Sequence, residues 1–328
     1  MINIGILGAG RIAVTMAKTV RGMNEAGNDS VHLLSVGARD KERAEQFAKD
    51  NGVEKAFGSY EELLSDPELD LVYIAVPHSH HAESVKLCLE HGKHVLCEKA
   101  FTANVRQAEE IIRMAEDKKL LLTEAIWTRY QPMRKMINDV VASGVVGQPR
   151  TLTANLDYSI LGKERMTDPA LAGGALLDVG VYALNFAEMV FGHPDRVQGI
   201  ATLTDRGVDE TDSVTLTWKD GRMAILNSGM SAISDRFGVI YCTEGFIMVE
   251  NINNPQVIRV YDKNYKMIDK IRCPQQITGY EYEVMEAVDC IEKGLIECPS
   301  MPHSETLHVM EMMDALRMQM GVKYPFEV

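Results

Sequence analysis

Two ionisable residues of a very apolar segment, Asp178 and Tyr182, are candidates for a functional site. They lie four residues apart within Gly173–Tyr182, so a helix would carry both side chains on one face. An ionised carboxylate in such a segment is unfavourable unless it finds partners, and Gly180 between them removes bulk where a ligand could approach. The pattern indicates a functional site; the alternative is a core tyrosine whose hydroxyl bonds a backbone group.

A lysine follows an apolar run that begins at His94. Lys99 stands directly after Glu98. If the run is a strand of a parallel sheet, Lys99 projects into the crevice outside the carboxyl ends of the strands, where such sheets bind ligands. Its ammonium group can hydrogen-bond a substrate oxygen, lower the pKa of a neighbouring group or itself titrate when partly buried. The alternative is a surface lysine that pairs with Glu98.

A G-x-G-x-x-A motif follows the first apolar run and opens a helical pattern. Gly8 allows a tight turn, Gly10 lets the backbone approach a pyrophosphate, and the small Ala13 permits close packing of helix on strand. The first helical residues, Arg11 and Ile12, then present N–H groups and the positive helix end to phosphates. The spacing predicts dinucleotide binding, with a purely structural glycine turn as the alternative.

The end of the second apolar run bears on the choice between NADP and NAD. An NAD site needs a carboxylate there for the ribose 2′-hydroxyl, but Ala38 occupies that position and Arg39 follows. A small residue leaves room for a 2′-phosphate, which a guanidinium group can bind or flank. We therefore favour NADP. Asp40 is either a rival ribose ligand or the N-cap of the next helix.

The first 125 residues alternate short apolar runs with segments of helical periodicity. The predicted strands are Ile4–Leu7, Val31–Val36, Leu71–Val76, His94–Cys97 and Leu120–Thr123. The predicted helices are Ile12–Val20, Lys41–Asn51, Tyr60–Leu64, His81–His91 and Val105–Asp117. This alternation predicts an α/β fold with a doubly wound parallel sheet covered on both faces.

After Pro132 the pattern changes to strands that follow one another. Thr211–Trp218 and Arg222–Met230 alternate polar and apolar residues around Asp220-Gly221, a strong hairpin signal. One helix over about 174–190 is expected early in this half, and two more, at about 280–293 and 304–320, close the chain. We predict a dinucleotide-binding domain at 1–125 and an α+β domain with a large open, mostly antiparallel sheet at 126–328.

Composition narrows the classes of partner. The 328 residues carry a net charge of 34 − 47 = −13, and we find no Lys/Arg-rich run, so nucleic-acid binding is not expected. No membrane span or signal peptide is predicted. The six cysteines form no C-x-x-C pair, which favours free thiols in the cytoplasm. No Cys/His/Asp cluster suggests a metal site.

Taken together, these motifs resemble the glucose–fructose oxidoreductase / inositol dehydrogenase (Gfo/Idh/MocA) family over the whole chain. Within that family the sequence looks most like the branch of dimeric dihydrodiol dehydrogenases and NADP-dependent D-xylose dehydrogenases. The segments that carry the resemblance are Gly8–Ala13, Pro77–Glu83, Gly92–Lys99, Glu124–Pro132 and Gly173–Tyr182.

The resemblance implies a Rossmann domain, a second domain with an open sheet, and a homodimer formed through the face of that sheet. It implies that Lys99 is the lysine of the family's E-K-P motif and that Tyr182 is the acid/base. Ala100 replaces the usual proline of that motif, which leaves its φ unconstrained. Further residues expected at the cofactor, besides those of the glycine motif and Ala38-Arg39, are Pro77, His78, His81, Glu98, Lys99, Trp127 and Arg129.

The expected activity is hydride transfer between NADP(H) and a carbinol of a small polyol, sugar or cyclic diol. Tyr182 would exchange the hydroxyl proton, Lys99 would stabilise negative charge, and Asp178 would orient Lys99 or a substrate hydroxyl. Trp127 would form an apolar wall, and Arg129 would reach the cofactor or an acidic neighbour. The alternatives are a reductase of sugar-derived ketones or dicarbonyls and a non-catalytic NADP-binding sensor.

Overall fold

The computed structural model describes residues Met1–Glu327, which divide into two compact units. The first unit contains Met1–Tyr130 and Gln276–Leu307, and the second contains Gln131–Gln275 and the chain from His308 onward. The single boundary expected near residue 125 therefore misses a return of the chain to the first unit. Long-range bonds explain that return, since Leu122 donates its N–H to Ile296 O at 3.0 Å.

The sheet of the first unit is parallel and doubly wound, as the alternating pattern predicted. Within Met1–Glu327 its strand order is β3-β2-β1-β4-β5-β6. The strands are β1 (Ile2–Leu7), β2 (Val31–Gly37), β3 (Lys55–Phe57), β4 (Leu71–Ile74), β5 (His94–Glu98) and β6 (Leu122–Ala125). The central strand β4 is buried at every position, because helices cover both faces of such a sheet.

Helices connect these strands, and three of the six in the described part begin at a side-chain cap. They are α1 (Arg11–Glu25), α2 (Lys41–Asn51), α3 (Tyr60–Leu64), α4 (His81–Glu90), α5 (Val105–Lys118) and α9 (Glu281–Glu292). Single 3₁₀ turns span His78–His80 and Trp127–Arg129. Ser59 and Asn104 cap α3 and α5 by accepting backbone N–H bonds, which satisfies orphan donors of the first turn.

The second unit contains the predicted open sheet, in the order β14-β13-β12-β11-β7-β10-β9-β8. The strands are β7 (Pro149–Asp157), β8 (Arg196–Leu203), β9 (Asp209–Thr217), β10 (Met223–Gly229), β11 (Gly238–Cys242), β12 (Gly245–Glu250), β13 (Val257–Asp262) and β14 (Met267–Arg272). Strands β10 and β7 run parallel, and the other neighbouring pairs are antiparallel. The hairpin expected around Asp220-Gly221 joins β9 to β10. The predicted fold class is thus confirmed.

The helices of this half are α6 (Pro132–Ala142), α7 (Glu164–Thr167), α8 (Val181–Phe191) and α10 (His303–Met320). A 3₁₀ turn covers Pro169–Leu171. The helix expected at 174–190 differs from the prediction, since Leu176–Gly180 is π-helical before α8 begins. The run Pro169–Phe191 is long and apolar enough to cross a membrane, yet 89% of its most apolar window is buried, which fits a core helix.

Candidate active site

The glycine turn (Gly8–Ala13) uses its two glycines for different purposes. Gly8 has φ +106°, and a Cβ there would lie 2.8 Å from Ala75 O, so the fold itself requires glycine. Gly10 has an ordinary φ of −96°, and the nearest protein atom to an added Cβ is 3.8 Å away. Because packing does not explain Gly10, the open space beside it fits a ligand that approaches the backbone.

Helix α1 begins at this turn without a side-chain cap of the kind that starts α2, α3 and α5. In the described chain no side chain caps α1, and its first turn carries no acidic residue. By contrast, the Asp40 carboxylate accepts the N–H of Arg43 at 3.1 Å at the start of α2. The first N–H groups of α1, near exposed Arg11 and half-buried Ile12, are therefore suited to an anion.

The end of β2 gathers positive charge. Ala38 is buried and Arg39 is exposed, and Asp40 acts as the cap that was one of its two expected roles. Burial raises the pKa of the Tyr60 hydroxyl, and the charges of Arg39 and Arg43 partly oppose that rise. Two guanidinium groups thus lie close to one phenol.

Sequence reasoning missed Arg43 at this end of the sheet. Its Nη2 donates to Ala9 O at 3.0 Å, which joins α2 to the glycine turn. The signal in the sequence was its position four residues after Arg39, one turn along the chain. Together with small, buried Ala38, the two arginines suit a 2′-phosphate.

The residues around Lys99 show how β5 ends. Lys99 is half-buried, and its backbone N–H donates to Glu98 Oε2 at 3.2 Å. The Tyr73 hydroxyl donates to the other carboxylate oxygen of Glu98, and the Lys99–Ala100 peptide is cis. Glu98, which the sequence placed at the cofactor, is 7% exposed, so its carboxylate helps to fix the turn that carries Lys99.

Two further buried acids near this turn escaped the sequence analysis. Burial raises the pKa of Glu124 to about 7, although bonds from Thr306 and the Phe101 N–H oppose the rise. Burial, followed by the charge of Glu98, raises the pKa of Glu283 well above its ordinary value. A glutamate within a buried strand or on a buried helix face was the available signal. Protonation keeps this cluster from accumulating negative charge.

His81 is completely buried and contacts two main-chain carbonyls. Its Nδ1 and Nε2 each lie 2.9 Å from an oxygen, that of Ala100 and that of Val76. Burial lowers the pKa of His81 to about 4 and outweighs both carbonyls. The neutral ring has one N–H, so it donates to one of these carbonyls while packing between the turn after β4 and the Lys99 turn. This arrangement favours a role for His81 in positioning the two turns. The sequence had left open both a core histidine and a direct contact with the cofactor.

His78 is also buried and meets the ring of His81 edge-on, with the centroids 5.7 Å apart. Pro77 before it is half-buried.

Trp127 stacks on Tyr280, with the ring centroids 4.1 Å apart and an interplanar angle of 16°. Trp127 can therefore still serve as an apolar wall, with Tyr280 behind it.

Arg129 is almost fully buried and donates to Glu305 Oε2 at 3.0 Å. Of its two expected partners, the cofactor or an acidic neighbour, the structure shows the acidic one. A charge that is removed from water needs such a partner.

In the second unit, Asp178 lies in the π-helical turn and binds Arg165. The guanidinium group donates from Nη1 and Nη2 to the two carboxylate oxygens at 3.0 and 3.2 Å. Asp178 is 7% exposed, whereas the Arg165 side chain is 44% exposed. Arg165 was not predicted, since it comes from α7 and no spacing rule joins the two residues. The bidentate pair fixes the orientation of Asp178.

The glycines of the Asp/Tyr segment (Gly173–Tyr182) serve packing, which corrects one expectation. A Cβ on Gly180 would lie 2.9 Å from Ser228 Oγ on β10, so this glycine allows the helix to meet the sheet and does not leave room for a ligand. Gly174 has φ +125°, and its Cβ would lie 2.2 Å from the Asp209 carboxylate. Tyr182 is 7% exposed at the start of α8.

A pair of buried acids holds this segment against the sheet. Asp209 accepts the N–H of Leu176, at the start of the π-helical turn. Burial and then the Asp209 charge raise the pKa of Asp212 to about 9. The pair therefore holds a proton at neutral pH.

The sequence suggested no metal site. The structure brings together Glu188, His193 and His308, all in the second unit, with one possible ligand atom each within 4.8 Å of the others. Glu188 and His193 are near each other in sequence, but His308 lies on a distant helix, so spacing did not indicate the set. The only sequence signal was a glutamate in an otherwise apolar helix.

Two family models together match most of the chain. The one described as "Oxidoreductase family, NAD-binding Rossmann fold" matches residues 2–126. The "GFO/IDH/MocA C-terminal domain" matches residues 134–248.

The curated relatives are also named as oxidoreductases. Trans-1,2-dihydrobenzene-1,2-diol dehydrogenase of Xenopus tropicalis is 34% identical, with 89% of this chain and 91% of the relative covered. The enzyme of that name from Homo sapiens is 32% identical, with 89% of this chain and 90% of the relative covered.

Solved structures share the fold. The 3-ketoreductase KijD10 of Actinomadura kijaniata, in complex with NADP and TDP-benzene, superposes with a TM-score of 0.84 at 24% identity, covering 97% of this chain and 98% of that one. UDP-N-acetylglucosamine 3-dehydrogenase of Acidithiobacillus ferrooxidans gives a TM-score of 0.80 at 19% identity, covering 97% of each chain.

Proposed function

Because the chain belongs to the GFO/IDH/MocA family of oxidoreductases and is a dehydrogenase or reductase, we propose that it transfers hydride between NADP(H) and a small carbinol substrate. The substrate class is a polyol, a sugar or a cyclic diol. The reaction named for the curated relatives, oxidation of a trans-dihydrodiol, is one member of this class. Reduction of sugar-derived ketones or dicarbonyls is the same chemistry in reverse.

Three observations support NADP as the cofactor. The space beside Gly10 is open, and the start of α1 has no side-chain cap in the described chain. Arg39 follows small Ala38, and the charges of Arg39 and Arg43 both act on Tyr60. The residues present therefore fit a pyrophosphate at the glycine turn and a 2′-phosphate at the end of β2. Asp40 is used as a helix cap, which removes support for a ribose carboxylate.

The cofactor, when bound, supplies or accepts the hydride. Tyr182 takes the hydroxyl proton during oxidation and returns it during reduction. Lys99 stabilises the negative charge that develops on the substrate oxygen and on the phenol. Asp178, held by both nitrogens of Arg165, accepts a hydrogen bond from a second substrate hydroxyl, which favours diols and sugars over simple alcohols.

The Arg165–Asp178 pair is the main support for the proposed class of substrate. A nearly buried carboxylate with a fixed orientation is a suitable acceptor for a hydroxyl adjacent to the reacting carbon. The test is a screen of NADP⁺ reduction with trans-dihydrodiols, D-xylose and other aldoses, beside NADPH oxidation with dicarbonyls. Each is repeated with NAD(H) and with Tyr182→Phe as the control for background turnover.

We expect turnover on at least one vicinal diol or sugar, lost in Tyr182→Phe, with a preference for NADP. In Arg39→Ala that preference falls by about 10-fold, since a charge-assisted contact to phosphate is lost. Tight NADPH binding with no turnover on any compound would instead favour the non-catalytic sensor.

We also propose a homodimer formed through the sheet of the second unit, in the cytoplasm. Large apolar side chains are exposed on its strands, at Ile200, Met223, Ile225 and Tyr241. Such a patch supports a protein–protein contact. Light scattering of the wild type and of Ile225→Glu tests this; a monomeric wild type would exclude the dimer. None of the six cysteines forms a disulfide in the described part of the chain, which supports a reducing compartment.

A further inference from the structure

A carboxylate and two imidazoles converge at the end of α8. Glu188 lies in the last turn of that helix, His193 follows two residues after its end, and His308 lies on α10. Glu188 Oε1 is 3.3 Å from Nε2 of His308 and 3.6 Å from Nε2 of His193. The three ligand atoms all lie within 4.8 Å of one another.

The three side chains of this cluster differ in solvent exposure. The side chain of Glu188 is fully buried, whereas those of His308 and His193 are 22% and 46% exposed. The acid therefore forms the floor and the imidazoles form the rim, which leaves a path from solvent. The carbonyl end of α8 also favours a cation at this position.

The two distances from Glu188 Oε1 are near those between ligand atoms of a tetrahedral ion. With metal–nitrogen and metal–oxygen bonds of about 2.0–2.1 Å, two ligand atoms in such a site are separated by about 3.3–3.4 Å. Both contacts of Glu188 Oε1 are close to that value. Two histidines and one glutamate are a frequent set of protein ligands for zinc, and they leave a fourth position for water.

One ring must turn for both imidazoles to bind the same ion. The rings of His193 and His308 are stacked 3.8 Å apart at an interplanar angle of 9°, and each nitrogen lone pair lies in its ring plane. His193 can turn because it is half-exposed in the loop after Gly192, whose φ is +74°.

A further carboxylate lies beside the His308 ring. Glu311 Oε2 is 3.9 Å from Nδ1 of that ring, one helical turn along α10. Its negative charge favours a cation at this end of the helix.

We propose that Glu188, His193 and His308 form a binding site for a divalent transition metal of the zinc type. Its ligands come from α8, the following loop and α10, so a bound ion ties the end of one helix to another. This role is structural and lies outside the residues assigned to hydride transfer. The site is independent of the proposed substrate class.

The test uses full-length protein without a polyhistidine tag, stripped with EDTA. Zinc chloride binding is measured by calorimetry, and cobalt chloride is added to record the visible absorption of a tetrahedral Co²⁺ site. The variants are His193→Ala and Glu188→Gln. The matched control is His32→Ala, since His32 pairs with Glu54 at 3.0 Å on the surface of the first unit but belongs to no such cluster.

We expect one zinc ion per chain in the wild type and in His32→Ala, with at least about 10-fold weaker binding in the other two variants. Zinc at about 100 times its Kd should raise Tm on the order of 5 °C, and only in the chains that bind it. If Glu188→Gln does not fold, His193→Ala decides the result, since its side chain lies at the surface.

Two results would overturn the proposal. One is the lack of a zinc-binding isotherm in the wild type, which would leave the cluster as a carboxylate paired with histidines by charge alone. The other is zinc binding that stays equally tight in His193→Ala and Glu188→Gln, which would place the ion elsewhere on the chain.

Discussion

The glycine turn of the first unit and the Asp/Tyr segment of the second unit are built in opposite ways. The turn presents main-chain N–H groups, and Gly10 leaves open space beside them. The segment is closed, since its glycines pack against other residues and its carboxylate is held by Arg165. A phosphate group needs backbone access, whereas a carbinol needs oriented side chains.

The two regions also differ in the unfavourable groups that the folded state must accommodate. The glycine turn leaves N–H groups that water or a ligand can satisfy. The Asp/Tyr segment packs against buried acids of the sheet. Burial raises the pKa of one of them, Asp212, to about 9, so it keeps its proton at neutral pH. A side-chain site therefore depends on compensating contacts from distant parts of the chain.

The largest expected effect is that of Tyr182→Phe. Removal of the phenolic oxygen should lower kcat by on the order of 10²–10⁴-fold, the usual contribution of a general acid/base. The Kd for NADPH should stay unchanged, because the change lies in the second unit. Steady-state rates and NADPH fluorescence titration measure both quantities. Unchanged turnover on a verified substrate would remove Tyr182 from the chemistry.

Two substitutions in the glycine turn separate ligand access from folding. Gly10→Ala should weaken NADPH binding by about 10-fold or more with an unchanged Tm, since its Cβ meets no protein atom within 3.8 Å. Gly8→Ala should lower the free energy of unfolding by roughly 1–3 kcal/mol, because φ is +106°. Equal effects of both changes on Tm would contradict the distinction.

Arg165→Met tests whether the second region depends on a fixed carboxylate. Loss of the bidentate pair should lower kcat/KM by about 10-fold without changing the Kd for NADPH. Arg165→Lys should restore only part of the rate, since an ammonium group lacks the planar fork of N–H donors that fixes the orientation of a carboxylate. A variant with wild-type kcat/KM would show that Asp178 needs no partner.

The smallest effects concern stability and pH. In the unfolded chain Glu124 and Asp212 ionise near their ordinary pKa values of 4.5 and 3.8, whereas folding raises them to about 7 and about 9. As pH rises, the unfolded state ionises first, so each acid lowers the free energy of unfolding until its folded pKa is passed.

In the wild type, Glu124 should therefore lower the free energy of unfolding by about 1–3 kcal/mol as pH rises from 4.5 to 7, and this decrease should be absent in Glu124→Gln. The decrease caused by Asp212 should continue to about pH 9 and be absent in Asp212→Asn. Urea unfolding at pH 5, 7 and 9 measures both. Variants whose pH profile matches the wild type would show that neither acid is protonated in the folded state.

The parts of the molecule that local sequence determines could be predicted. The G-x-G-x-x-A spacing, the alternation of strands and helices, and the Asp220-Gly221 hairpin each depend on neighbouring residues. The contacts of Arg43, Arg165 and Glu283 could not, since their partners lie in other elements. Gly180 shows the same limit, because the residue it packs against is 48 positions later in the chain.

The central proposal is that Lys99 and Tyr182 act in one chemical step. A double-mutant cycle with Lys99→Met and Tyr182→Phe tests it, with single-turnover hydride transfer as the readout and NADPH binding as the check on folding. Residues that act together give non-additive losses, so the double variant should be within about 10-fold of the slower single variant. A double variant slowed by the full product of the two single effects would show that the residues work independently, and would contradict the account.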